Sequence, residues 1–202
     1  MFIRNENFKQ FISLYPIVSI IIGVNIFVFL LRLIPILGEQ IYLGGMHINA
    51  YITHGEIWRS FTSMFLHAGF LHLLFNMFSL YLFGPELEKI AGKARFLTIY
   101  LLSGIGGSIA TYLIHINDPL YASVGASGAV FGIFGAYAAI LFRHRKTTPH
   151  LRQIILPIIV ISVILTFLQS NVNAAGHIGG LIVGFLLGLI YFSNKNFMSW
   201  RN

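Results

Sequence analysis

The chain has 202 residues, 56% of them hydrophobic and 9% charged, with a formal net charge of +7 and no cysteine; its mean hydropathy is +0.79. Soluble domains carry about 25% charged residues, so this composition excludes a water-covered globule and makes lipid the surrounding solvent. The absence of cysteine excludes a thiol nucleophile, a thiolate metal centre and a disulfide framework. The basic residues sit in short clusters between apolar runs, which is a membrane-orientation pattern rather than a nucleic-acid patch.

In chain order, a tail over 1–16 precedes an apolar run over 17–37, the first predicted span. That run is longer than the h-region of a signal peptide, and no A-x-A-like cleavage site follows it. The one long connection, about 38–62, carries Gly44, Gly45, Trp58 and Arg59. Trp58 by itself reads as a membrane-interface aromatic. Further runs of roughly 20 mostly apolar residues predict spans at 63–83, 96–115, 126–142, 152–169 and 175–192, with a tail over 193–202. Each reads as helix, because a chain in hydrocarbon must satisfy its backbone hydrogen bonds internally. The runs do not alternate as barrel strands would. With no linker, low-complexity tract or repeat, the expectation is one all-α membrane domain of six helices over 1–202.

Six spans alternate the connections between two sides. Arg4, Lys9, Lys89, Lys93, Arg95, Arg143, Arg145, Lys146, Arg152, Lys195 and Arg201 all fall on one side, Arg59 falls on the other, and Arg32 lies within the first run. The positive-inside rule makes the first side cytoplasmic and places both termini there, in a multi-pass protein of the cell membrane.

Polar residues inside the runs carry the functional signal, since an ionisable residue at the bilayer centre costs on the order of 2.5–3.5 kcal/mol. These residues are His67, His72 and Asn76 on the second span, His115 at the end of the third, Ser127 opening the fourth and His177 opening the sixth. The second, fourth and sixth spans all enter from the outer side, so the group gathers in the outer half of the bilayer. His115, beside Asn117-Asp118-Pro119, reads as interfacial. No Asp or Glu lies well inside any run.

Gly128 and Gly132 are four apart on the fourth span, and Gly176, Gly180, Gly184 and Gly188 form one stripe on the sixth. Small residues at this spacing let helix backbones approach closely. If the two stripes face each other, a Ser127 hydroxyl and a His177 imidazole come within nucleophile–base reach. The competing reading is that Gly-Ala-Ser-Gly-Ala over 125–129 merely packs helices and that the histidine is structural. The serine is not in a hydrolase nucleophile elbow, because Ala129 stands where that pattern needs glycine. His72 and Asn76 share one helix face. They offer either two donors to a developing oxyanion or an interhelical polar tie.

Taken together and in order, Trp58-Arg59, His67, His72-x-x-x-Asn76, Gly125-Ala126-Ser127-Gly128 and Gly176-His177-Ile178-Gly179-Gly180 resemble the rhomboid intramembrane serine proteases in their minimal six-span bacterial-type form. The resemblance implies a rhomboid-like bundle that hydrolyses peptide bonds in or near transmembrane segments of membrane proteins, with no cofactor and no metal. Ser127 would be the nucleophile and His177 its base, without a third carboxylate. The Ser127 N–H, His72 and Asn76 would form the oxyanion hole, and His67 would anchor the outer structure through hydrogen bonds. Trp58 and Arg59 would belong to a membrane-embedded first loop, and Glu88, just past the second span, matches a structural acidic position. Gly128 and Gly180 would pack the helices. Phe131 stands one turn after the serine where some members have Tyr, so it can stack on the histidine but not hydrogen-bond to it. This leaves the His177 tautomer open.

Three other classes remain to be weighed. An inactive relative would bind membrane clients, but such relatives usually lose the serine or the histidine. A transporter relaying protons through His67, His72 and His177 would be expected to use intramembrane carboxylates and inverted repeats, and neither is evident. A metal enzyme lacks an H-E-x-x-H pattern.

Overall fold

The computed structural model describes residues 5–145, 148–169 and 171–193. Ten helices and two short strands follow in chain order: α1 (Phe8–Leu14), α2 (Pro16–Arg32), α3 (Leu37–Gly45), β1 (His47–Ile48), α4 (Asn49–Thr53), α5 (Arg59–Thr62), α6 (Phe70–Ala91), α7 (Lys93–Ile114), β2 (Ala122–Ser123), α8 (Ser127–His144), α9 (Pro149–Leu168) and α10 (Ala174–Tyr191). Among them α6, α7, α8, α9 and α10 are long and apolar enough to cross a membrane, and α1 with α2, bent by 111°, make a sixth candidate if they count as one span. The packing resolves into two compact units, Met1–Leu97 with His115–Ser127, and Thr98–Ile114 with Gly128–Asn202.

In the first unit, α1 opens with a capping box. The Asn7 side chain accepts from the Gln10 N–H at 3.0 Å, and the Gln10 side chain accepts from the Asn7 N–H at 2.9 Å. The N-terminus of α2 has no side-chain cap of its own. Glu88 supplies one from α6, its two carboxylate oxygens accepting the N–H groups of Ile17 and Val18 at 3.1 and 2.9 Å. These are donors that a helix start leaves without partners, and a carboxylate there also meets the positive end of the helix dipole. Glu88 is therefore not in a loop past the second span, as expected, but inside α6.

The first predicted span overran its helix. Apolar sequence continues to Leu37, but α2 stops at Arg32 because Pro35 has no N–H to donate and biases Ile34 away from helical geometry. Arg32 is thus the last residue of α2 rather than a residue in the helix interior. Its guanidinium lies over the Tyr42 ring of α3, 4.0 Å from the centroid, and donates to the carbonyl of His67. The second predicted span began too early. Ser63–Phe65 form a single 3₁₀ turn, the chain is extended at Gly69, and α6 runs from Phe70 through the charged residues Glu86, Glu88 and Lys89.

The long first connection is ordered throughout. Arg59, 5% exposed, holds it from inside. Its guanidinium pairs with Glu56 at 2.7 Å, donates to the carbonyls of Leu43 and Met46 at 2.6 and 2.9 Å, and lies over the Tyr51 ring. Trp58 is exposed. β1 and β2 form an antiparallel pair with His47 opposite Ser123. Asn49 reinforces this tie by donating to the carbonyls of His115 and Asp118 at 2.6 and 3.1 Å. His115 lies just beyond α7 and stacks on Tyr121, with centroids 3.6 Å apart.

In the second unit the glycine stripes of α8 and α10 do face each other. A Cβ added to Gly180 would stand 2.0 Å from the Gly128 carbonyl oxygen, and one added to Gly184 would stand 2.0 Å from that of Gly132. The α7 residues within this unit are equally close. A Cβ on Gly132 would meet Ser103 Cβ at 2.1 Å, and one on Gly179 would meet Ala110 Cβ at 2.4 Å. Backbone-to-backbone packing of this kind substitutes for the hydrophobic drive that lipid does not provide.

Candidate active site

Ser127 is the first residue of α8, so its N–H is one of the donors a helix start leaves unpaired. The approach to it is shaped by Gly125. That residue has φ +130°, a left-handed conformation that disfavours any side chain, and its N–H donates to the Ser63 carbonyl at 2.9 Å. A Cβ at Gly125 would lie 2.7 Å from both Cε1 and Nε2 of His72 and 3.8 Å from Ser127 Oγ. The edge of the His72 ring therefore lies against the Gly125 backbone, with the Ser127 hydroxyl close to the same point, and a side chain at position 125 would collide with the ring.

His72 lies in the first turn of α6. The Ala68 N–H donates to its Nδ1 at 3.4 Å, so a neutral ring carries its proton on Nε2, the atom facing Gly125. Asn76 is one turn further along. One of its amide protons goes to the His72 carbonyl at 2.9 Å, and the amide has a second. His67, 1% exposed, sets its ring edge-on against His72, with centroids 5.0 Å apart. Neither of its ring nitrogens makes a hydrogen bond of normal geometry among the described residues. Its carbonyl, rather than its ring, receives a bond, the one from Arg32. Burial, with the nearby His72 as a second cause, lowers the His67 pKa to about 3 and keeps the ring neutral.

His177 is on the first turn of α10. The helix start is capped by the Asn173 side chain, which accepts from the Gly176 N–H at 2.9 Å and donates to Thr111 Oγ1 at 2.8 Å. Phe131 of α8 stacks on the His177 ring, with centroids 4.1 Å apart and planes 18° from parallel. The Nδ1 of His177 is 2.9 Å from the hydroxyl oxygen of Thr166 on α9. Sequence reasoning missed Thr166, because a lone threonine in an apolar helix reads as packing. Its signal lies in three dimensions, not in spacing. Among the described residues no three His, Asp or Glu side chains come together as a metal site would require.

The Rhomboid domain family profile matches residues 54–194. The chain is 42% identical over 200 residues to the rhomboid-family protein YdcA of Bacillus subtilis (strain 168), covering 96% of this chain and 98% of that one. It is 43% identical over 150 residues to the rhomboid protease GluP of the same organism, covering 73% of this chain but 28% of GluP. It is 31% identical over 175 residues to the rhomboid protease AarA of Providencia stuartii, covering 76% and 62%. A match spanning the motif-bearing helices and most of the length of one relative is decisive: the chain belongs to the rhomboid family, and is a multi-pass protein of the intramembrane-protease type.

Proposed function

We propose that the protein is an intramembrane serine endopeptidase in which Ser127 is the nucleophile and His177 the general base, acting without a carboxylate. The observation that carries this reading is the arrangement around Gly125. The Ser127 hydroxyl, at the start of α8, and the Nε2–H edge of the His72 ring come together against Gly125, where a side chain would collide with the ring. That combination suits a tetrahedral oxyanion and has no purpose in plain helix packing. The names of GluP and AarA, both rhomboid proteases, support the same class.

In the proposed sequence, Ser127 Oγ attacks the scissile carbonyl of a membrane-protein substrate while His177 Nε2 takes the hydroxyl proton. The negative charge forming on the carbonyl oxygen is met by the Ser127 N–H, by His72 Nε2–H and by the second amide proton of Asn76. Each such donor is typically worth about 2.7–4 kcal/mol in the transition state. His177 then gives its proton to the leaving amine, an acyl-enzyme forms at Ser127, and water releases it by the reverse of the same proton transfers. A regular helix hides its carbonyls in hydrogen bonds, so the substrate is a transmembrane segment cut where small or helix-destabilising residues let the backbone open. The basic-residue pattern supports six spans, with both termini cytoplasmic and the site opening to the extracytoplasmic side.

Purified protein in detergent is expected to cleave a fluorogenic transmembrane peptide and to be labelled by a serine-directed phosphonate. Ser127→Ala and His177→Ala should each abolish cleavage while thermal unfolding stays near that of the parent. Cleavage at parental rate by either variant would remove the dyad. A parent that neither cleaves nor labels would favour the client-binding reading.

A further inference from the structure

The hydrogen bonds of Thr166 assign it a role in the chemistry, and we infer that it is the positioning residue that sets the tautomer of His177; the inference rests on the proposed dyad. Thr166 is on α9, most of whose span faces outward. Its neighbours Leu165 and Phe167 are 46% and 67% exposed, yet Thr166 itself is 4% exposed. Its side chain is thus turned inward, toward α10 and His177.

The hydroxyl has two partners at equal distance. It lies 2.9 Å from the Ser162 carbonyl one turn earlier on α9, and 2.9 Å from His177 Nδ1. A carbonyl oxygen can only accept, and a threonine hydroxyl has a single proton. That proton therefore goes to Ser162, and the Thr166 oxygen must accept from His177. The ring nitrogen that donates is Nδ1–H, so in the neutral ring Nε2 holds the lone pair. The opposite assignment would send the only proton to Nδ1 and leave two oxygens, Thr166 Oγ1 and Ser162 O, facing each other at 2.9 Å with nothing between them.

A threonine bonding back to the carbonyl four residues earlier is ordinary in a helix, and by itself would mean nothing. What makes it functional is that this back-bond uses up the proton and converts the side chain into an obligate acceptor. The ring is then held on two sides. Phe131 stacks flat against its face and fixes the plane, and Thr166 fixes which nitrogen carries the proton. A base must present an unprotonated nitrogen to the nucleophile. In enzymes with a third carboxylate, that group orients the histidine and also stabilises its charged form. Thr166 supplies the orientation alone, as a neutral group, which fits a part of the sequence that contains no Asp or Glu after Asp118.

The test compares Thr166→Val, which keeps the shape and removes the acceptor, with Thr166→Ser, which keeps both the proton and the lone pairs. Thr166→Val is expected to lower kcat roughly 10- to 100-fold, by analogy with the loss of the hydrogen-bonding partner that orients a metal-ligating histidine, with KM for the transmembrane peptide little changed. Thr166→Ser is expected to recover most of the parental kcat. Independently of turnover, ¹⁵N spectra of histidine-labelled protein should show the neutral His177 ring protonated at Nδ1 in the parent and in Thr166→Ser, and mixed between the two nitrogens in Thr166→Val. A parent ring protonated at Nε2 overturns the inference. So does a Thr166→Val protein with parental kcat, or one in which Thr166→Ser is as slow as Thr166→Val. If Ser127→Ala still cleaves, the dyad has failed, whereas a dead Ser127→Ala beside a fully active Thr166→Val means that only the role of Thr166 has failed.

Discussion

At the scale of single residues, the most constrained position is Gly125. Its φ of +130° and the 2.7 Å approach of the His72 ring to any added Cβ act in the same direction. Gly125→Ala is expected to cost on the order of 1–3 kcal/mol from backbone strain and to displace His72, so that activity falls further than stability does. A melting curve and a cleavage assay on the same preparation separate the two effects. His67 gives a pH signature. Its folded-state pKa, about 3, lies below the ordinary value of 6.5 because burial opposes the charged ring. Between those values the unfolded chain binds the proton and the folded chain does not, so stability is complete above pH 6.5 and declines as the pH falls from 6.5 toward 3. His47, whose pKa burial also lowers, adds to the same trend. Thermal midpoints taken across this window should fall with acidity, and His67→Gln should flatten the slope. A slope unchanged by that substitution would contradict the assignment.

At the scale of elements, the close approach of α8 and α10 was legible as two glycine spacings, and the structure pairs them as Gly180 with Gly128 and Gly184 with Gly132. Gly184→Ala places a methyl 2.0 Å from a backbone oxygen that cannot rotate away. The helices must separate, at about 1–3 kcal/mol or more, and the melting temperature in detergent should fall. Helix ends were less legible. Hydropathy continued past Arg32 although Pro35 stops the helix, and it stopped at residue 83 although α6 runs to Ala91. Hydropathy reports which residues tolerate lipid, whereas a helix ends where hydrogen bonding and caps end it. Glu88 shows the difference, since a charge that interrupts an apolar run is the cap of another helix 70 residues away.

At the scale of the whole molecule, the proposed orientation rests on eleven basic residues that fall on one side of a six-span reading; of these, Arg4, Lys146, Lys195 and Arg201 lie outside the described residues. The chain has no cysteine, so single introduced thiols report topology directly. In intact cells a membrane-impermeant maleimide should label Asp118→Cys, while Arg145→Cys should react only after permeabilisation. The reverse pattern would invert the protein and move the site to the cytoplasmic side. Composition and the order of its motifs were enough to establish a helical membrane protein and its family, because lipid solvation, helix periodicity and catalytic residue types are all written along the chain. The tertiary structure alone decided which groups a side chain meets. The Arg32–His67 contact, the β1–β2 pair that ties the first connection to the approach to Ser127, the close approach of the His72 ring to Gly125 and the Thr166–His177 hydrogen bond all join residues distant or unrelated in sequence pattern. A proton on one nitrogen or the other of His177 depends on a partner a few ångströms away, and no local spacing along the chain specifies that partner.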